Sequence, residues 1–381
     1  MRRTQLAGLL CCLLVWCLLT APVAHATPIL FFPASDGHPR PHVSVSASPS
    51  CLDNPAIGSK VWTVAISGTL ALLGYGQALT ILDVSDPSRP TCRSHLALPP
   101  NGSITAIKVR GNYAYLALIN SNESDVALQI VDVHDPVNPT LLGSFNGSYA
   151  NDLEVVGNLV YLTASDLKIV DVSDPAAPAL VNTYAVASPY KIQIVGNRLY
   201  VSTGTYVFEI LDLADPIHPV RLGGFYEGAI GWATFSISGN RAYLLKFAGG
   251  VDVLDIDSPN NPLLLGTYTN IDFLDGHFHP ITRGFQVIDN RLYIADTRFQ
   301  LYDVSSPTKA ILIGSYDAPG AGYDMWLAGD LAYVANPEKG LQTGDYGFEI
   351  IDLSDEANPF LRGWFLNSNT GRFFYVQPIR G

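Results

Sequence analysis

A stretch that reads "LTILDVSDPSRP" at Leu79–Pro90 recurs six more times in reworded form. The copies are "LQIVDVHDPVNP" (Leu128–Pro139), "LKIVDVSDPAAP" (Leu167–Pro178), "FEILDLADPIHP" (Phe208–Pro219), "VDVLDIDSPNNP" (Val251–Pro262), "FQLYDVSSPTKA" (Phe299–Ala310) and "FEIIDLSDEANP" (Phe348–Pro359). The motif aspartates Asp83, Asp132, Asp171, Asp212, Asp255, Asp303 and Asp352 step by 49, 39, 41, 43, 48 and 49 residues. A period near forty residues specifies a repeat architecture, which leaves helical solenoids and β-propellers to separate.

The content of one period separates them. In the second copy, "ITAIKVR" (Ile104–Arg110) meets a Gly111-Asn112 turn, then "YAYLALI" (Tyr113–Ile119), "VALQIVDV" (Val126–Val133), the "HDPVNP" corner and "TLLGSF" (Thr140–Phe145). These are four short runs rich in β-branched, aliphatic and aromatic residues, divided by turn residues. The first turn returns as Gly157-Asn158, Gly196-Asn197, Gly239-Asn240, Asp289-Asn290 and Gly329-Asp330, pairs that accept the backbone of tight hairpins. No long apolar run has the 3.6-residue period of a helix. The expectation is an all-β chain: a seven-bladed β-propeller of four-stranded antiparallel blades. A parallel β-helix fits less well, because its turns are not hairpins.

The corner motif has a mechanical reading. Asp86 and its equivalents can close an Asx-type turn, and Pro87 presets φ for the corner. Asp83 and its equivalents end an apolar strand, so burial there requires a hydrogen-bonding partner. Seven equivalent carboxylates cannot serve one active site, so they are read as structural.

The pattern resembles the LVIVD repeat family, which the cores "LTILD", "LQIVD", "LKIVD", "FEILD", "VDVLD", "FQLYD" and "FEIID" paraphrase from Val61 to about Phe365. The resemblance implies an exported or surface-exposed prokaryotic propeller, and it carries no catalytic residues. The sixth copy departs most, with Ser306 and Ala310 in place of Asp and Pro.

Outside the repeat, "MRR", the apolar "LAGLLCCLLVWCLLT" and "APVAHA" make residues 1–26 a signal peptide with cleavage after Ala26. The apolar run is shorter than the roughly twenty residues a transmembrane helix needs. Lipidation at Cys17 fits poorly, since Trp16 stands where a small residue is expected. Residues 27–60 form a Pro- and Ser-rich extension, 61–365 the propeller, and 366–381 a tail. Either flanking piece could lie against the seam between blades one and seven. The localisation expected is secreted, periplasmic or cell-surface, as a monomer without a transmembrane segment.

Without Arg2 and Arg3, 20 basic residues face 34 acidic ones, a net of −14. That charge disfavours nucleic acid and anionic membranes as partners. Cys51 and Cys92 remain after the signal, and an even pair in an oxidising compartment reads as a disulfide.

Chemistry is sought on the face opposite the repeated turns, where loops are irregular. Two are long: Thr269–Gly284 and Ala335–Gly347. The first carries Asp275, His277 and His279, a possible transition-metal set lacking a local third histidine. Aromatic and acidic residues that open the innermost strands form a second group: Tyr149, Asp152, Tyr190, Trp232, Tyr323, Asp324 and Trp326. Flat rings beside carboxylates suit a carbohydrate, a cationic ligand or a peptide, and they would serve equally as channel packing. No H-E-x-x-H, G-x-S-x-G, C-x-x-C or phosphate-loop motif occurs. The expected role is therefore a protein or carbohydrate binding module without cofactor. The alternative is a metal-assisted hydrolase or lactonase-like enzyme with its site in the central funnel.

Overall fold

The computed structural model describes residues 61–99, 102–119, 126–147, 149–204, 207–226, 232–246, 249–271, 284–296, 298–317, 322–336, 346–367 and 373–374. The signal, the extension, Cys51 and the Asp275/His277/His279 set lie outside the described residues.

Seven antiparallel sheets follow one another along the chain, each with its strands in sequence order. Blade one is Val61–Ser67, Leu70–Tyr75, Ala78–Asp83 and Thr91–Ala97. Blade seven begins at Asp324–Ala328 and reaches its outer strand at Phe360–Asn367, and Phe373–Phe374 pairs there as a fifth strand. The tail thus adds to the outer edge of blade seven. The first strands of neighbouring blades contact one another around the ring, and the first strand of blade one contacts blade seven. The chain is a seven-bladed β-propeller with first strands innermost.

Ring closure comes from side-by-side packing. Val64, Tyr75 and Leu82 of blade one share a buried cluster with Tyr333, Phe348, Ile350 and Phe365 of blade seven. Third strands such as Ala78–Asp83 are buried on both faces between neighbours, which is why they read as nearly unbroken apolar runs.

Hairpins between first and second strands close on two residues, as in the Ser67↔Leu70 pair. Gly68, Gly111, Gly157, Gly196, Gly239 and Gly329 hold φ between 57° and 61°, the positive value that the first central position of a II′ turn demands. Blade six uses Asp289 (φ 45°) and Asn290 (φ 63°), both positive as in a I′ turn.

Each hairpin is tied to the aspartate corner on the same face. The N–H following the motif aspartate donates to the second hairpin residue in every blade, for example Val84 N to Thr69 O at 2.8 Å and Leu353 N to Asp330 O at 2.8 Å. The motif carboxylates accept the N–H two residues on: Asp83 from Ser85 at 2.8 Å, Asp171 from Ser173 at 2.7 Å, and Asp352 from Ser354 at 3.0 Å. One expectation needs correcting. Of the seven, only Asp352 is buried; the other six sit at strand ends, half-exposed. They close Asx turns at the rim without being enclosed in the core.

A further device joins the blades. Every fourth strand has a register irregularity opposite the motif, and the residue eleven positions after the motif aspartate lies beside it. That residue is glycine in five blades, Ser94 in blade one and Asn182 in blade three. A Cβ on Gly143, Gly223, Gly266, Gly314 or Gly363 would come within 2.1 to 2.6 Å of a carbonyl in the next blade's corner. Ser94 Oγ instead donates to Pro136 O at 2.7 Å, and Asn182 Nδ2 to Ile217 O at 2.6 Å. Each corner therefore rests on the outer strand of the blade before it.

Candidate functional site

Inner strands alternate their side chains between channel and blade interior. Counting back from the hairpin, most of the residues three and five positions before the turn line a central cavity of about 270 Å³. All seven blades contribute to it.

Polar and charged groups dominate this lining. Lys108 Nζ of blade two donates to Glu154 Oε1 of blade three at 2.9 Å, while Lys191 of blade four also acts on Glu154 electrostatically. Burial works against the Lys108 ammonium, but the charges of Glu154, Asp152 and Asp324 outweigh it and hold its pKa above the ordinary lysine value. Burial pushes the Glu154 carboxyl up, opposed by Lys108 and Lys191 and reinforced by Asp152.

The two aspartates that open inner strands link blades. Asp324 Oδ2 accepts from Thr63 Oγ1 at 2.6 Å and from Val64 N at 3.2 Å, across the seam between blades seven and one. Its Oδ1 accepts from Met325 N at 2.9 Å. Asp152 Oδ2 accepts from Ile192 N of blade four at 3.2 Å, and its Oδ1 from Leu153 N at 3.0 Å. One layer deeper, Gln193 Oε1 accepts from Ile237 N at 2.9 Å and Ser236 Oγ accepts from Val287 N at 2.9 Å. These groups satisfy inner-strand N–H groups that have no ladder partner on the channel side.

Of the residues expected at a site, Asp152, Asp324 and Trp326 do line the cavity. Trp326 is half-buried and packs against the clusters on both sides of blade one. Tyr149 and Tyr323 lie in the connections entering blades three and seven, and Tyr190 lies in the inner strand of blade four; none of the three lines the cavity. The Tyr323 ring instead meets Trp62 edge-on, with centroids 4.9 Å apart. Trp232 opens the inner strand of blade five. Lys108, Glu154, Lys191, Gln193 and Gln286 were missed by sequence reasoning, though counting back from each Gly-Asn turn would have found them. Among the described residues no cluster of three or more His, Cys, Asp or Glu is set to hold a metal. None of their helices is long and apolar enough to cross a membrane.

The repeat model of one family matches residues 58–95, 101–147, 147–186, 234–270, 281–318 and 319–366, covering every blade except the fourth. The chain belongs to the LVIVD repeat family. No curated relative matches this LVIVD protein. Among solved structures it is similar to Sqt1 of Saccharomyces cerevisiae, at 10% identity over 85% of this chain and 97% of that one, with a TM-score of 0.60. It is also similar to the computationally designed Ika8 protein, at 13% identity over 84% and 97%, with a TM-score of 0.57. Hsv2 of Kluyveromyces lactis gives 12% identity over 80% and 98%, with a TM-score of 0.55. At these identities the likeness is one of fold.

Proposed function

We propose that this LVIVD propeller is an exported binding module that presents the irregular loops of one face to a protein or glycan partner. One observation carries the reading. The hairpin and corner turns of the other face are engaged by hydrogen bonds repeated in all seven blades and by the docking of each corner on its neighbour. Among the described residues, the connections on the opposite face are held by bonds whose positions differ from blade to blade: Ile104 N donates to Gly76 O, Ala150 N to Leu118 O, Gly204 N to Ser188 O and Gly322 N to Asp296 O. A rigid repeated face with a variable opposite face is the usual division between scaffold and recognition loops. Removal of a signal peptide and a Cys51–Cys92 disulfide belong to the same reading, since both suit an oxidising compartment.

The test is positional. Binding to a glycan array and to immobilised envelope proteins is measured for the parent, for Tyr149→Ala and Trp232→Ala, and for Asp135→Ala and His218→Ala on the turn face. The expected result is loss of binding in the first pair and retention in the second, at unchanged melting temperature. Loss confined to the second pair overturns the reading, as does a stoichiometric metal together with hydrolytic turnover.

A further inference from the structure

The central channel is charged, but its charges already answer one another. The carboxylates of Asp152, Glu154 and Asp324 and the ammonium groups of Lys108 and Lys191 line one cavity. Lys108 Nζ donates to Glu154 Oε1 at 2.9 Å, and Lys191 acts on the same carboxylate. Asp324 accepts from Thr63 Oγ1, Val64 N and Met325 N, and Asp152 accepts from Ile192 N and Leu153 N. An anion in this cavity meets Asp324, and a cation meets Lys108, so like charges oppose both. The lining favours a neutral occupant.

Two polar side chains of the wall are not engaged in this way. Phe285 and Val287 of blade six are buried in one core cluster, so alternation along the strand turns Gln286 between them toward the channel. Trp326 holds the equivalent place in blade seven, where it is half-buried at the cavity wall. Neither the Gln286 amide nor the Trp326 indole N–H is hydrogen-bonded to another described residue. An amide with two donors and an acceptor and an aromatic ring with one donor are thus presented on neighbouring inner strands.

That combination suits a sugar ring. The C–H face of a pyranose packs on the flat apolar surface of an indole, and each hydroxyl donates one hydrogen bond and accepts up to two. Hydroxyls also bond to the charged groups without disturbing their balance. The Lys108 ammonium has three protons, and Asp152 and Asp324 keep spare lone-pair sites. Hydrogen bonds to such ionised partners are the stronger kind. The cavity volume of about 270 Å³ falls just below the range of about 300–1,000 Å³ typical of drug-sized ligands, so it takes one ring and not a chain.

We propose that the central channel binds one neutral monosaccharide, with a ring face on Trp326 and hydroxyls on Gln286 and on the Lys108–Glu154 pair. The site is separate from the loop face that takes the macromolecular partner, and neither reading depends on the other.

The test is titration calorimetry on the full exported chain with the common neutral hexoses, pentoses, N-acetylhexosamines and myo-inositol. Glucuronate and glucosamine serve as charged versions of the same ring. At least one neutral sugar should bind, with glucuronate and glucosamine each at least about tenfold weaker. Trp326→Leu and Gln286→Leu should each weaken that sugar about tenfold or more, and Gln286→Glu should shift the preference toward glucosamine. Tyr149→Ala, on the loop face, should leave the sugar affinity unchanged, which keeps failure of the loop-face reading distinct from failure of this one. Melting curves of each variant check the fold. The proposal is overturned if no neutral sugar of the panel binds at millimolar concentration. It also fails if a charged ring binds as tightly as the best neutral one, if folded Gln286→Leu and Trp326→Leu both keep parental affinity, or if only Tyr149→Ala loses it.

Discussion

Gly363, on the fourth strand of blade seven, lies against the carbonyl oxygen of Pro87 in the corner of blade one; a Cβ there would stand 2.2 Å from that oxygen. The same relationship recurs between Gly143 and Pro175 and between Gly223 and Pro259, so one glycine rule joins the first blade to the last as it joins blades in the middle. Gly363→Ala and Gly223→Ala should each destabilise by about 1–3 kcal/mol through overpacking against backbone that cannot move aside. The exposed Val137→Ala, in the corner of blade two, should leave stability within about 0.5 kcal/mol of the parent. Urea unfolding compares the three. Equal midpoints would remove the docking from the account of stability.

The corner aspartates set the acid limb of stability. Hydrogen bonds from the Ser85 side chain and backbone, with a further one from Arg93, bring the Asp83 carboxyl down to about 2. The Asp171 and Asp303 carboxyls are lowered in the same way by Ser173 and Ser305. A group whose folded pKa lies below its unfolded value adds stability above the unfolded value and loses it as pH falls through the folded one. Melting temperature should therefore fall between about pH 4 and pH 2. Asp83→Asn should melt lower than the parent at pH 7, and the difference should shrink toward pH 2. A constant difference across that range would contradict the linkage.

Lys246 Nζ and Asp252 Oδ1 are 2.8 Å apart, and the Asp252 side chain is fully enclosed. Thr267 Oγ1 donates to the same carboxylate oxygen at 2.7 Å. Lys246→Met should cost about 3 kcal/mol or more, because a buried carboxylate loses the ammonium paired with it at 2.8 Å. Lys246→Met combined with Asp252→Leu should recover much of that loss. Denaturant midpoints of the single and double variants settle it, and equal midpoints would show that the pair carries no coupling.

Cys92 is buried at the junction of blades one and seven, a place where a cross-link would tie the extension to the ring seam. Peptide mapping of unreduced protein should recover residues 51 and 92 in one linked fragment. Cys51→Ser should lower stability by about 4 kcal/mol in the chain-entropy model for a loop near forty residues. Two free thiols in the mapped protein would exclude the link.

The blade count, the order of strands and six of the seven hairpins between first and second strands were legible in the sequence. They depend on local chemistry: a positive φ at Gly111 or Gly157, the Asx closure at Asp135 or Asp174, and a motif period that repeats whatever the neighbours do. The glycines eleven residues past each motif aspartate were equally visible in the letters. Their purpose was not, because the carbonyl each one meets belongs to the next blade.

The channel was legible only in part. Asp152, Asp324 and Trp326 were singled out as residues opening inner strands, while Lys108, Glu154 and Lys191 were not. Inner strands have side chains on both faces shielded, so apolar alternation does not reveal which face meets the axis. Asp324 and Thr63 are 261 residues apart in sequence yet 2.6 Å apart in space. Local sequence determined seven blades and their turns. Closure of the ring decided which residues meet across the axis, because that geometry is a property of all seven blades together.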